Sequence, residues 1–180
     1  MMIKLNTPLK TSDIRKLRMG DKVLLSGVIF TARDRAYEYF SKNDFPKIKG
    51  GVLYNCGPLV DGRKIIAAGP TTSIRLSIYS DILKKYDIKA VIGKAGMDEN
   101  TLKIMKGKCV YFSAVGGASL IYANCIKKVN NVYKKEFGTT EAIWELEVKD
   151  FPVIVTMDSH GGDLHQQVYE KSKKHLSMSK

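Results

Sequence analysis

A chain of 180 residues that is 44% hydrophobic and 27% charged can bury one core, and it is too apolar to be disordered. No apolar run reaches the ~18 residues that cross a bilayer, and Met1-Met2-Ile3-Lys4-Leu5-Asn6 lacks the apolar core of an export signal, so a cytoplasmic protein without membrane contact is expected. The net charge of +12 comes from 24 lysines and 6 arginines, scattered in pairs such as Lys84-Lys85 and Lys127-Lys128 rather than gathered in one stripe, which points to a solvated surface and a field favouring small anions, not to nucleic acid.

Asp21 to Phe30 is apolar and β-branched enough for a buried strand, closed by Thr31-Ala32-Arg33-Asp34. Arg35 to Lys42 follows as a short helix. Gly50-Gly51 breaks the chain before a strand at Val52-Leu53-Tyr54, and Asp61-Gly62 turns it into another at Lys64 to Ala68. Beyond Gly69-Pro70-Thr71-Thr72-Ser73, the spacing of Ile74, Ile78, Ile82 and Leu83 predicts a helix over 74–86.

Ile88 to Ile92 is expected as a strand, Gly93-Lys94-Ala95-Gly96 as a loop, and Asp98 as the cap of a helix. A strand over 109–114 enters Gly116-Gly117, and a helix runs from Ala118 to Cys125. Strands are predicted over 129–137, 142–148 and 151–157, then a helix over 163–175 and a frayed end at about 177–180. No repeat or linker divides the chain. One α/β domain over 1–180 is predicted, with a largely parallel central sheet and additional antiparallel strands.

In open α/β sheets, ligands gather beyond the carboxyl ends of strands. Four loops are candidates: Thr31 to Asp34, Gly69 to Arg75, Gly93 to Gly96 and Val115 to Gly117. If their parent strands are parallel neighbours, they share one rim and bring Arg33, Arg75 and Lys94 to the hydroxyls of Thr71, Thr72 and Ser73. Guanidiniums pair bidentately with carboxylates or phosphates, and glycines let backbone approach a ligand closely. A small polyanion fits this set. No phosphate loop, dinucleotide fingerprint or nucleophile elbow is present.

Cys56, Cys109 and Cys125 stand far apart, odd in number and without a CxxC pair, so buried reduced thiols are expected, not a disulfide framework or a metal cluster. Asp158, His160, Asp163 and His165 have metal-ligand chemistry but no standard spacing, and a structural turn is expected there.

Thr31-Ala32-Arg33-Asp34, Gly69-Pro70-Thr71-Thr72-Ser73-Ile74-Arg75, Ile92-Gly93-Lys94-Ala95-Gly96-Met97 and Gly116-Gly117-Ala118 resemble, in order, the motif series of the class I fumarate hydratase and L-tartrate dehydratase β subunit, or C-terminal domain. The ending from Phe151-Pro152-Val153 to Asp163-Leu164 is similar as well. The resemblance implies a swivelling β/β/α domain that takes part in reversible hydration of fumarate to (S)-malate, or dehydration of tartrate. It implies a [4Fe-4S] cluster held by a partner α subunit and not by this chain, an α2β2 assembly, and no activity without that partner. Carried over, Arg33, Arg75 and Lys94 would hold substrate carboxylates, Thr71 would be the base with Lys94 beside it, and Thr72 and Ser73 would shape the pocket. This chain has Tyr37 where the family often has histidine. A non-catalytic anion-binding module is the alternative.

Overall fold

The computed structural model describes residues 2–62 and 64–178. Nine strands and six α-helices are present among them: β1 (Ile3–Asn6), α1 (Thr11–Lys16), β2 (Lys22–Thr31), α2 (Asp34–Lys42), β3 (Val52–Tyr54), β4 (Leu59–Asp61), β5 (Lys64–Ala67), α3 (Ile82–Lys85), β6 (Ala90–Gly93), α4 (Glu99–Met105), β7 (Val110–Ser113), α5 (Ser119–Cys125), β8 (Ile126–Tyr133), β9 (Ile143–Met157) and α6 (Leu164–Met178).

Seven strands form one sheet in the order β1-β2-β3-β6-β7-β9-β8, and β2 also pairs with β9. The ladders β2–β3, β3–β6 and β6–β7 are parallel, whereas β9 runs antiparallel to β7, β8 and β2. The pairings thus run in a ring, β2-β3-β6-β7-β9-β2, which removes open edges from the central strands. Strands β3 and β6 are buried along their whole length, as continuous apolar runs in a parallel sheet must be.

Alternation along the strands divides the interior in two. Val23 and Leu25 of β2 and Val110 and Phe112 of β7 pack with Tyr122 of α5 on one face. Leu53, Val91 and Tyr111 face the other way, against Tyr37 and Phe40 of α2, Leu83 of α3 and Met105 of α4. Stacked Tyr122 and Phe151, with Tyr54 edge-on, fill the first core.

The α/β class and the mixed sheet match the sequence expectation, but several elements differ. The opening residues form β1 and α1, which their polar pattern conceals. The expected strand over 64–68 does not enter the central sheet; β5 pairs only with β4 in a separate hairpin. The helix expected over 74–86 is a 3-10 turn, Ile74–Tyr79, followed by the four-residue α3. Ser77 and Ser80 are poor helix formers, and the Ser77 hydroxyl instead receives the Asp98 backbone N–H at 3.1 Å. The strands expected over 142–148 and 151–157 are one 15-residue strand, β9. Lys149-Asp150 looks like a turn in sequence but is absorbed in an irregularity opposite Leu25 and Gly27, with Asp150 at φ 51° and its N–H on Ser26 Oγ. Strand β8 ends at Tyr133, and Lys135–Phe137 is a 3-10 turn. Of the end expected to fray, residues 177–178 are helical and 179–180 lie outside the described residues. No helix among the described residues is long and apolar enough to cross a membrane.

Candidate anion site on the sheet rim

Because β2, β3, β6 and β7 are adjacent and parallel, the segments leaving their C-terminal ends share one rim. Ala32 and Arg33 follow β2 and lead into Asp34 of α2, Asn55 to Gly57 follows β3, Lys94 to Gly96 follows β6, and Ala114 to Gly117 follows β7. The loop from Gly69 to Ser73 reaches the rim by a different route, since β5 lies outside the sheet. It inserts between the ends of β3 and β6. Thr71 N–H donates to Asn55 O at 2.7 Å, Lys94 N–H to Thr71 O at 3.1 Å, and Ser73 N–H to Lys94 O at 3.0 Å. Pro70 bridges Cys56 and Thr72 bridges Lys94. The Tyr54 hydroxyl donates to Ala68 O and anchors the start of the wedge.

Beneath the wedge lies a buried polar network. Tyr37 donates to Asn55 Oδ1 at 2.8 Å, Asn55 Nδ2 to Ser73 Oγ at 2.8 Å, and Tyr111 to Ser73 Oγ at 2.9 Å. Burial raises both tyrosine hydroxyls above their ordinary titration range, so they stay protonated donors. A Cβ on Gly93 would stand 2.0 Å from Ser73 Oγ and 2.7 Å from the Tyr111 hydroxyl, so only glycine lets β6 pass this network. Ser73, expected at the pocket wall, is therefore below the surface, where it holds the loop in place.

The other expected residues come together at the surface of the rim. Arg75 lies on the 3-10 turn after the wedge. Its Nε and Nη2 donate to Asp34 Oδ1 and Oδ2 at 2.9 and 3.1 Å, Nη2 also to Thr71 Oγ1 at 3.0 Å, and Nη1 to Thr72 O at 2.6 Å. A guanidinium carries five N–H groups, so these bonds leave Arg75 one. The bonds from Arg75 hold the Asp34 carboxyl below its ordinary range, and Asp34 in turn raises Arg75.

Arg33 caps the start of α2, and its Nε lies 3.2 Å from Glu141 Oε1 in an ion pair whose geometry makes no hydrogen bond. Glu141 Oε2 meanwhile accepts from the Arg35 backbone N–H at 3.1 Å. Lys94 is exposed, its stem passing Gly116, and no acid among the described residues pairs with it. Three cations and two acids thus leave the rim one positive charge, carried by Lys94. Its loop turns through Ala95 at φ 68° and Gly96 at φ 72°, and the His165 ring packs against Gly96, where a Cβ would stand 2.7 Å from Cδ2.

The sequence did not single out Asn55, Tyr111 or Glu141, and it placed His165 only in an expected structural turn, not at the rim. Each arrives from an element far from the motifs it serves. Only the glycines facing three of these four, Gly93 beside Asn55 and Tyr111 and Gly96 beside His165, leave a trace in the motif pattern.

Asp158 accepts backbone N–H bonds from His160, Gly162 and Met19. Burial alone would raise its carboxyl, but these bonds hold it below the ordinary range. Asp163 Oδ1 accepts from the backbone of His165 and Gln166 at the start of α6, and His165 Nε2 meets Thr156 Oγ1 at 3.0 Å. The expected structural turn is present. Among the described residues no group of three or more His, Cys, Asp or Glu is placed to hold a metal ion. The three thiols make no ligand set: Cys56 follows β3 at the rim, Cys109 precedes β7 at the opposite end, and Cys125 ends α5. These residues do not fit an iron–sulfur cluster.

A family model described as fumarase C-terminus matches residues 1–168. The chain is 44% identical over 187 aligned positions to a protein of Geobacillus stearothermophilus named "Putative fumarate hydratase class I", covering 99% of this chain but only 36% of that protein. It is 39% identical to a Methanocaldococcus jannaschii protein named "Putative L(+)-tartrate dehydratase subunit beta", covering 91% of each. With the L(+)-tartrate dehydratase subunit beta of Escherichia coli K12 it shares 30% identity over 89% of this chain and 85% of the relative. A family-model match over residues 1–168, with relatives at 30% identity or more over most of both chains, means that this chain belongs to the fumarase C-terminus family.

Proposed function

We propose that the chain is the β subunit of an iron–sulfur-dependent hydro-lyase that reversibly hydrates fumarate to (S)-malate. The observation that carries this reading is the rim itself, where Lys94, Arg33, Arg75 and the Thr71 hydroxyl converge on a surface with an unmatched positive charge. In this reading the [4Fe-4S] cluster belongs to a partner α subunit in an α2β2 assembly. Exposed Val115, Leu120 and Ile121 beside the Gly116-Gly117 loop support a partner seated near the rim.

Lys94 and the Nη groups of Arg33 take the substrate carboxylates, and Arg75 offers its one remaining N–H. Thr71 Oγ1, in its deprotonated form, receives a proton from the carbon beside a carboxylate in dehydration and becomes the neutral hydroxyl that returns it in hydration. A hydroxyl is a weak base, and the N–H of Arg75 at 3.0 Å favours its charged form. The half-buried Thr72 helps shape the floor, and Ser73 fixes it from below.

A second reading, an L-tartrate dehydratase β subunit, is favoured by one observation: the relatives that match this chain end to end carry that name. Anaerobic co-expression with a cluster-bearing α partner, followed by assays of fumarate hydration and L-tartrate dehydration, separates the two. Fumarate turnover is the expected result. Tartrate turnover alone selects the second reading. A correctly assembled complex that turns over neither acid overturns both and leaves an anion-binding module.

A further inference from the structure

Arg75 would be expected to meet a substrate carboxylate with the Nε/Nη2 edge of its fork, but that edge already faces Asp34. We propose that Asp34 is a positioning residue: it holds Arg75 through both carboxylate oxygens so that the guanidinium fixes the Thr71 hydroxyl. The inference rests on the reading of Thr71 as the proton carrier.

An isolated surface ion pair contributes little, and this pair is partly exposed, at 38% for the Arg75 side chain and 47% for Asp34. Its geometry is what distinguishes it. Asp34 is set in the first turn of α2, on a regular element rather than a free loop. Its two bonds fix the plane of the guanidinium, since a bidentate pair restrains orientation as well as distance. The rest of that plane points at the wedge, with Nη2 to Thr71 Oγ1 and Nη1 to Thr72 O.

A carboxylate, a guanidinium and a hydroxyl therefore stand in line, and the last is the reacting group. Because Thr71 Oγ1 accepts from Arg75, its own proton is directed elsewhere, and negative charge developing on the oxygen meets a fixed donor. Asp34 also keeps a substrate carboxylate off this edge of the fork. A substrate that displaced Asp34 would pull Arg75 away from Thr71. Carboxylate recognition thus falls chiefly to Lys94 and Arg33, with a single N–H left over on Arg75, and orientation of the hydroxyl to Asp34 and Arg75.

In the assembled complex, Asp34→Asn should lower kcat by about 10- to 100-fold while leaving KM near wild type, as when the support of a reacting group is lost. Arg75→Lys should show a similar loss, and the double variant should be no worse than the poorer single, because the two act as one unit. Asp34→Glu should recover part of the rate.

The rotamer of Thr71 gives a readout that needs no turnover. In the isotope-labelled full chain, three-bond couplings should report one χ1 for wild type and averaging for Asp34→Asn and Arg75→Lys, with the amide spectrum otherwise retained. A raised KM at unchanged kcat, additive losses in the double variant, or a Thr71 rotamer indifferent to both substitutions overturns the proposal. If the wild-type complex turns over neither acid, the hydro-lyase reading falls, and the Thr71 couplings alone decide whether Asp34 positions that side chain.

Discussion

Single side chains decide whether the wedge at the rim can form. Ser73, Asn55, Tyr37 and Tyr111 satisfy one another in a space with no room beside Gly93. Gly93→Ala should destabilise the chain by about 2–4 kcal/mol, the range for a core clash that also breaks a buried network. Urea unfolding measures this, and a variant as stable as wild type would mean that β6 passes the network less closely than described. The cysteines invite a second check. Burial pushes the Cys56 and Cys109 thiols up to about 12, which leaves about one part in ten thousand as thiolate at pH 8. A thiol reagent at that pH should first modify the half-buried Cys125, with the other two reacting only on unfolding; fast modification of two or three thiols in the native chain would contradict their burial. Thr71 and Lys94 were legible in the sequence because each sits in a short motif with its own glycine or proline, and Arg33 because it directly follows an apolar, β-branched run. Glu141 and Asn55 were not, because pairing with Arg33 and Ser73 depends on how distant segments meet.

The elements show the same division. Strands β3, β6 and β7 were visible as apolar runs, because burial on both faces leaves little alternation to obscure them. Strand β2 was visible from its β-branched, largely apolar composition, although its first half alternates between buried and more exposed positions. The helix expected over 74–86 failed because the hydrophobic period persists across residues whose backbone makes 3-10 bonds. The Gly69 to Ser73 loop is expected from its motif to be a ligand loop, but its insertion between the ends of β3 and β6 is a tertiary pairing with no local signature. The turn before α6 allows a test by pH. The carboxyl of Asp158 is held below its ordinary value, so its contribution to stability is present above about pH 4, the unfolded-state value, and is lost as pH falls through the lower folded value. Asp158→Asn cannot titrate there. The loss of stability between about pH 5 and about pH 2 should be smaller in the variant than in wild type, read from urea midpoints; equal losses would show that Asp158 is not tied to its three amides.

For the molecule as a whole, the closed run of strands gathers four loop ends at one edge, and the charge there is nearly balanced. The net charge of +12 suggests a strongly basic surface, yet Asp34 and Glu141 answer Arg75 and Arg33 one for one. Of the rim's named charges, only Lys94 is left unmatched to draw an anion, on a loop held by backbone bonds to Thr71 and Ser73 and by His165 packed against Gly96. The central claim is that this rim grips the substrate anion for a reaction completed by a partner. The most direct measurement is kcat/KM of the assembled complex carrying Lys94→Ala, beside wild type, with assembly checked by size. A loss of about 100-fold or more in an intact complex is the predicted result, the scale of removing one preorganised charged contact. A wild-type rate in that complex would contradict the account.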